Sequence, residues 1–439
     1  MLNKKITIFV GLLLLTVNIF AQKVNNNNTT SPYSRFGIGE LQPTSFGRTS
    51  AMGGAAIASR SKNQLNLTNP ASYTAIDTMS FIFEAGLTSK QSSFKDANFS
   101  QNNNNTNFQY FAFNFPITSW SAVTFGLRPY SDAGYDIIQT EKVSEGTAAA
   151  NYFGEGSLSK VFLGQAFDIT PNLSVGANMS YIFGSLTKNT TLGFPSVGAY
   201  SYQKYDSLRV RKIRFDFGVQ YTHKFNKNHE LTIGATYESE SDFNTEVKNA
   251  IYRTTSIVIN NNQTQTLRDT IAARTKADYD ITMPSAFGIG FSYNYKKKLI
   301  VNLDYYRQNW SNAKIDFGPQ RDYDNELTDL NQIAIGAEWT PNKYALKGYY
   351  NRVSYRAGFN YTNGYLKVNN KTLSKYGMTF GLGLPLSNSL KRMQSSMVNI
   401  GVELGRMGSI KDGLVRENYV KLNVSFSLYD NWFIKRQFD

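Results

Sequence analysis

The chain has no cysteine and only two histidines in 439 residues. The first absence excludes a lipoprotein anchor, a disulfide framework and cysteine-based metal or redox sites. The second leaves little for histidine-dependent catalysis, because His223 and His229 both fall beside one expected periplasmic turn, where histidines are more often solvated than catalytic. No His/Asp cluster has metal-ligand spacing. Asp322-Tyr323-Asp324-Asn325-Glu326 lacks the glycine and spacing of an EF-hand and reads as an acidic outer loop. The chain is therefore expected to be no enzyme and to carry no cofactor. Long apolar runs are missing too. A membrane helix needs about 20 consecutive apolar residues, and no segment after Gln22 has them. Charged residues make up only 18%, with 46 basic against 32 acidic, a net charge of +14. In a cytosolic protein that balance would suggest nucleic acid. In an exported one it suits lipid phosphates, so no nucleic acid is expected as partner.

Export follows from the first residues. Lys4 and Lys5 precede an apolar run from Ile6 to Phe20, and Ala21 offers a small residue for cleavage before Gln22. Residues 1–21 read as a signal peptide for the Sec pathway, and 22–30 as an Asn-rich segment. Residues 31–76 are rich in glycine, alanine and serine. From 77 to 439 period-2 alternation recurs, as in Val420/Leu422/Val424/Phe426/Leu428, Ile213/Phe215/Phe217/Val219/Tyr221 and Phe287/Ile289/Phe291/Tyr293. These ladders number about fourteen, an even count as bacterial outer-membrane barrels require. Aromatics at 14% fit the same class.

The gaps alternate. Short ones centre on Thr118, Pro171, Asn226, Lys297, Asn342 and Ser389 and are assigned to the periplasm. Long ones (Gln91–Thr106, Tyr130–Glu155, Thr187–Lys204, Glu240–Thr282, Ser311–Thr328) are assigned to extracellular loops. Trp120, Trp310, Trp339 and Trp432 fall at strand ends, where an aromatic girdle is expected. The expected fold is all-β: a transmembrane antiparallel barrel in the cell outer membrane.

Parity assigns Glu84, Arg128, Arg214, Asp216, Asp304, Glu338, Arg356, Glu403 and Lys421 to the lumen, with Gly218, Gly288, Gly290, Gly336, Gly381 and Gly383. Charges there need partners or water, so a bracing network that clamps an internal segment is expected, ahead of a solute path. The periplasmic turns and tail collect Lys224, Lys227, Lys296, Lys297, Lys298, Lys343, Lys347, Lys391, Arg392, Lys435 and Arg436. This basic rim suits inner-leaflet phosphates or an acidic periplasmic partner.

Residues 31–72 hold the small-residue run Ala51-Met52-Gly53-Gly54-Ala55-Ala56, then Asn69-Pro70-Ala71. This region resembles the N-terminal part of the FadL-like outer-membrane family, and its opening SPYSRFGIGEL resembles a Bacteroidota branch. The resemblance implies a 14-stranded barrel with residues 31–76 as a lumenal hatch, and gives Gly53, Gly54, Asn69, Pro70 and Ala71 the hatch role. The bland alternative is that the glycines only allow close backbone packing and that Pro70 stops a hatch helix. Similar barrels serve as accessory subunits of outer-membrane machines, in barrel assembly or type IX secretion; others pass long-chain fatty acids or other hydrophobic molecules. The segments Gln91–Thr106 and Ile257–Ala277 are mostly polar, which argues against a greasy capture site. An accessory role is therefore expected over transport. The expected partners are outer-membrane lipids, lipopolysaccharide, and proteins of an assembly or export complex.

Overall fold

The computed structural model describes residues 30–431 except 97–98, 145, 195–198, 260–262, 278–280, 314–326, 346, 387–395 and 412. The signal peptide, the acidic run 322–326, Lys391, Arg392, Trp432, Lys435 and Arg436 thus lie outside the described residues.

Fourteen antiparallel strands form the wall. They are β1 (Ser80–Lys95), β2 (Ser100–Thr118), β3 (Ser121–Val143), β4 (Gly146–Asp168), β5 (Leu173–Gly193) and β6 (Ser201–Asn226). Two broken strands follow: β7 (His229–Glu238, Ser241–Ile259) and β8 (Gln263–Ala277, Ile281–Met283, Ala286–Tyr295). The remainder are β9 (Leu299–Gln308), β10 (Leu330–Trp339), β11 (Ser354–Val368), β12 (Lys371–Pro385), β13 (Met397–Met407) and β14 (Arg416–Asn431). β14 pairs with β1 from Asn431↔Ser80 to Arg416↔Lys95, which closes the sheet.

Alternation decides which face each residue takes. On β10, Ile333, Ile335 and Trp339 are exposed on the outside, while Ala334, Gly336 and Glu338 are buried within. The same parity exposes Ile213, Phe215 and Phe217 on β6 and Phe287 and Phe291 on β8. A barrel in lipid inverts the usual rule, so its largest apolar side chains are its most exposed ones.

The short turns lie at one end, called lower here, at residues 119–120, 169–172, 227–228 and 296–298. The opposite end corrects one expectation. Most of the chain assigned to extracellular loops is strand: β3 and β4 each run 23 residues and β6 runs 26. Crossing a membrane takes only about 9–11. The apolar ladder ends where lipid ends, but hydrogen bonding between strands carries on through polar sequence. The ladders therefore measure membrane thickness rather than strand length.

Among the described residues the wall shows a seam between β2 and β3. β2 pairs with β3 only from Phe111↔Leu127 down to Thr118↔Ser121. Above that point the N-terminal segment takes over, with Glu40 and Leu41 pairing to Asp132 and Ser131 of β3. Gln42 N–H then donates to the Tyr130 carbonyl at 3.0 Å.

Candidate functional site

Residues 30–76 touch inward-facing groups on strands around the wall, in two layers of different chemistry. In the lower layer directed polar contacts hold the segment, beside an apolar cluster in which Phe46, Leu65, Leu67, Tyr73 and Ile76 pack against Tyr110 and Phe162 of the wall. Arg48 makes a two-pronged pair with Glu338 (2.8 and 2.9 Å), and Arg356 donates to the same carboxylate at 2.6 Å. A carboxylate matched by two guanidinium groups is the strong form of buried charge pairing. Asp304 accepts from the Ala56 and Ile57 backbone N–H groups through one oxygen, and Glu84 accepts from Leu65 N–H at 2.8 Å. Thr379 Oγ1 accepts from Gly53 N–H at 2.7 Å, and Asn302 Nδ2 donates to the Ala55 carbonyl at 3.0 Å. These contacts answer an old accounting problem. A segment with little helix or sheet of its own must find partners for its backbone, and the wall side chains supply them.

Inward glycines are the footprint of this segment. A Cβ at Gly336 would strike the Met52 carbonyl, one at Gly358 the Gly53 nitrogen, and one at Gly234 the Ile57 carbonyl. At Gly288 and Gly290 it would meet the Ile57 side chain, and at Gly381 the Ala51 Cβ. Gly218 faces Asn69 and Pro70, whereas Gly383 leaves room for the Arg356 guanidinium instead. Gly53 has a second constraint: it ends the 3-10 turn Thr49–Met52 with φ of 65°, and a Cβ would stand 2.5 Å from the Phe359 carbonyl.

Asn69-Pro70-Ala71 opens a 3-10 turn, Pro70–Ala75. Pro70 therefore starts a helical turn rather than stopping a helix, because its missing N–H costs nothing at the first helical position. Asn69 caps that turn by accepting from Ala71 N–H at 3.0 Å. Its amide nitrogen lies within bonding distance of the Ile57, Val219 and Ala235 carbonyls, tying the segment to β6 and β7. Arg60 continues the attachment, donating to the Ala71 carbonyl and to Ser174 Oγ. Burial, only partly offset by Asp168 and Glu230, lowers the Arg60 guanidinium from its usual pKa.

The upper layer is mainly apolar. Tyr33 and Ile38 of the segment join Leu158, Ile182, Leu186, Leu208, Val210, Met283, Trp310 and Tyr365 in one buried cluster. Trp310 corrects the girdle expectation: it is fully buried and stacks on Tyr365 with ring centres 4.2 Å apart. It lies in a 3-10 turn just beyond β9 that folds inward, which strand-end counting cannot distinguish from a lipid-facing position. Trp120 and Trp339 are exposed as expected. Burial pushes the Tyr33 hydroxyl up to about 12, and it donates to the Val415 carbonyl. Lys90 bridges Glu40 of the segment (3.1 Å) and Glu417 of β14 (2.8 Å).

The other lumen charges brace the wall. Lys160 pairs with Asp216, and Arg214 with Glu238 at 3.3 Å. Arg214 also donates to the Ser239 and Pro284 carbonyls, where β7 and β8 break. Tyr419 donates to Glu403, and Lys421 stands opposite Glu403 in the cross-strand register. Arg128 departs from the expected network: its guanidinium lies 5.5 Å from the Phe46 ring centre, with no carboxylate in ion-pair range among the described residues. It lines, with Asp216, Glu238, Tyr306 and Pro70, a cavity of about 20 Å³, room for one water.

At the lower rim Lys224, Lys227, Lys296, Lys297, Lys298, Lys343 and Lys347 are all exposed. Backbone bonds from Lys296 N–H to the Asn228 carbonyl and from Thr340 N–H to the Lys298 carbonyl join three of their turns. The lysines thus gather on the β6–β11 side. His229 Nδ1 lies 2.6 Å from the Tyr293 hydroxyl on this rim, and His223 is exposed. The contacts of Arg48, Arg60, Lys160 and Trp310 are among those sequence reasoning missed, as are the Lys90 bridge and Glu238. The signal was present for the first two, as cations flanking a small-residue run that must face lumenal carboxylates.

Solved structures share this fold. The CymD monoaromatic hydrocarbon channel is similar over 89% of this chain and 99% of its own, at 14% identity and a TM-score of 0.60. The Ralstonia pickettii toluene transporter TbuX matches over 88% and 99%, at 17% identity and 0.56. A Pseudomonas aeruginosa FadL homologue matches over 90% and 99%, at 10% identity and 0.54. The fold is therefore that of the FadL-type outer-membrane barrels. No curated protein matches the sequence. The family model described as BamG matches residues 1–439, the whole chain, and the protein belongs to the BamG family.

Proposed function

We propose that this protein is a non-enzymatic accessory subunit of the outer-membrane barrel-assembly machinery. The family name points to that machine, and the observation that carries the reading is the state of the lumen. Glu338, Asp304, Glu84 and Thr379 anchor the segment from four different strands, and Met52 and Ile57 sit on glycines that fit them. A gate that opens every cycle would have to break these buried bonds together, each costing about 1–3 kcal/mol when left unsatisfied. A scaffold gains from keeping them. The basic lower rim offers a surface for acidic periplasmic partners, where opposite charge sets orientation and encounter rate.

The second reading is passage of hydrophobic small molecules. It draws support from the fold shared with hydrocarbon channels, the apolar upper layer and the seam between β2 and β3.

One experiment separates the two. The tagged full-length protein is extracted gently from its own membranes, and what accompanies it is identified. The accessory reading expects stoichiometric barrel-assembly components and no retained greasy ligand. Recovery of a lone barrel with saturable lumenal fatty acid would reject it and favour passage.

A further inference from the structure

Above the apolar ladder of β6 two arginines face outward. Ile213, Phe215, Phe217, Val219 and Tyr221 form the lipid-facing ladder, all exposed. It covers roughly 27 Å of strand, close to the height of an outer-membrane apolar band once tilt is allowed for. Arg211 and Arg209 are the next two residues up on the same face, both exposed. Neither has a carboxylate in ion-pair range among the described residues. Other outward arginines at this height are engaged: Arg307 pairs with Asp329 at 2.6 Å, and Arg406 donates to Asn418 at 2.9 Å. The acid beside Arg209 is Glu246, its cross-strand partner on β7. Lys248 takes that carboxylate at 3.1 Å. The Lys248 hydrogen bond, then its charge and those of the arginines, hold the Glu246 carboxyl below its usual range. Among the described residues neither guanidinium is in an ion pair.

We propose that Arg209 and Arg211 form a binding site for the phosphate of an outer-leaflet glycolipid, with its acyl chains lying along the Ile213–Phe217 ladder. Side chains two apart on a strand share a face at roughly 7 Å spacing. One phosphate between them can accept from both, and guanidinium is the group best shaped for that. An acidic protein would use the charge but not the apolar ladder directly beneath it. A glycolipid uses both.

The test is retention of lipid. The full chain is placed in phosphatidylethanolamine nanodiscs containing diphosphorylated lipid A, passed through detergent exchange, and bound lipid A is counted by native mass spectrometry. Wild type is expected to retain it. The R209Q/R211Q variant should retain roughly tenfold less, as loss of charge-assisted bonds implies, and R209K/R211K should recover part of it. Dephosphorylated lipid A should bind wild type no better than the R209Q/R211Q variant binds the intact lipid. The R307Q variant should retain as much as wild type. Equal retention by R209Q/R211Q would overturn the site, as would equal binding of the dephosphorylated lipid or equal loss in R307Q. Full competition by millimolar inorganic phosphate would show a site for free phosphate and overturn the glycolipid assignment. Both arginines are exposed, so the variants should keep the heat-dependent gel shift of a folded barrel. A variant lacking that shift, with R209K/R211K folded but not retaining lipid A, would also count against the site.

Discussion

The two layers of the lumen hold the same segment with different balances of contact: directed polar bonds stand beside an apolar cluster below, and apolar packing dominates above. Below, Arg48, Ala56, Ile57 and Leu65 meet carboxylates, and backbone N–H groups end on side-chain oxygens. Above, Tyr33 and Ile38 enter a cluster of leucine, isoleucine, valine and aromatic side chains like the core of a soluble protein. The difference follows from what each part of the segment offers. Residues 51–58 are mostly small, Met52 and Ile57 excepted, so much of the grip falls on their backbone, where directional bonds supply it, while those two side chains bury against inward glycines. Residues 33–41 carry rings and branched chains, and burying them supplies non-directional stabilisation of about 25 cal/mol per Å². A directed clamp fixes position, whereas an apolar cap fixes only coverage.

The strongest way to break the lower layer is steric. Gly336→Leu puts a side chain where the Met52 carbonyl lies and should expel residues 51–57. The expected result is new conductance in planar bilayers and protease cutting within the segment, with the barrel still folded. Next comes a paired experiment on the two layers. Glu338→Ala leaves Arg48 and Arg356 buried without their carboxylate and should cost about 3–5 kcal/mol. Trp310→Ala should cost a similar 3–5 kcal/mol by opening a cavity. Denaturant unfolding in vesicles measures both, and amide exchange tells them apart. Exchange should rise at residues 48–57 in the first variant, and at 33–41 with protected 51–57 in the second. The smallest effect is expected for Asp304→Asn. It exchanges the carboxyl that receives both backbone N–H groups for an amide with a single acceptor oxygen and should cost about 1–2 kcal/mol, seen as a modest rise in exchange at Ala56 and Ile57.

The same contrast explains what was legible in the sequence. Lipid-facing ladders such as Ile213 to Tyr221 were plain, because lipid imposes alternation on every strand that crosses it. The lumen charges were assigned by the complementary parity, and Glu84, Asp304, Glu338 and Arg356 do face inward and bury. Their partners were not legible. Arg48 to Glu338 spans 290 positions, and no local pattern encodes a contact between an irregular segment and a particular strand. Strand length was lost for a different reason: above the membrane nothing requires an apolar residue at every second position. Trp310 shows the limit for single residues, since a tryptophan beside a strand end can turn to lipid or to the core.

The most direct test of the account uses the absence of cysteine. An ideal Cβ at Gly401 would stand 3.2 Å from the Ala51 Cβ, near the range a disulfide spans. The Ala51→Cys/Gly401→Cys protein can therefore be locked, with closure read from a non-reducing gel, and compared with each single variant in cells depending on it. The account predicts that the locked protein supports outer-membrane barrel assembly and growth as well as the single variants do, with or without reductant. Loss of function on locking that reductant restores would contradict it, because a fixed scaffold has no use for a moving segment.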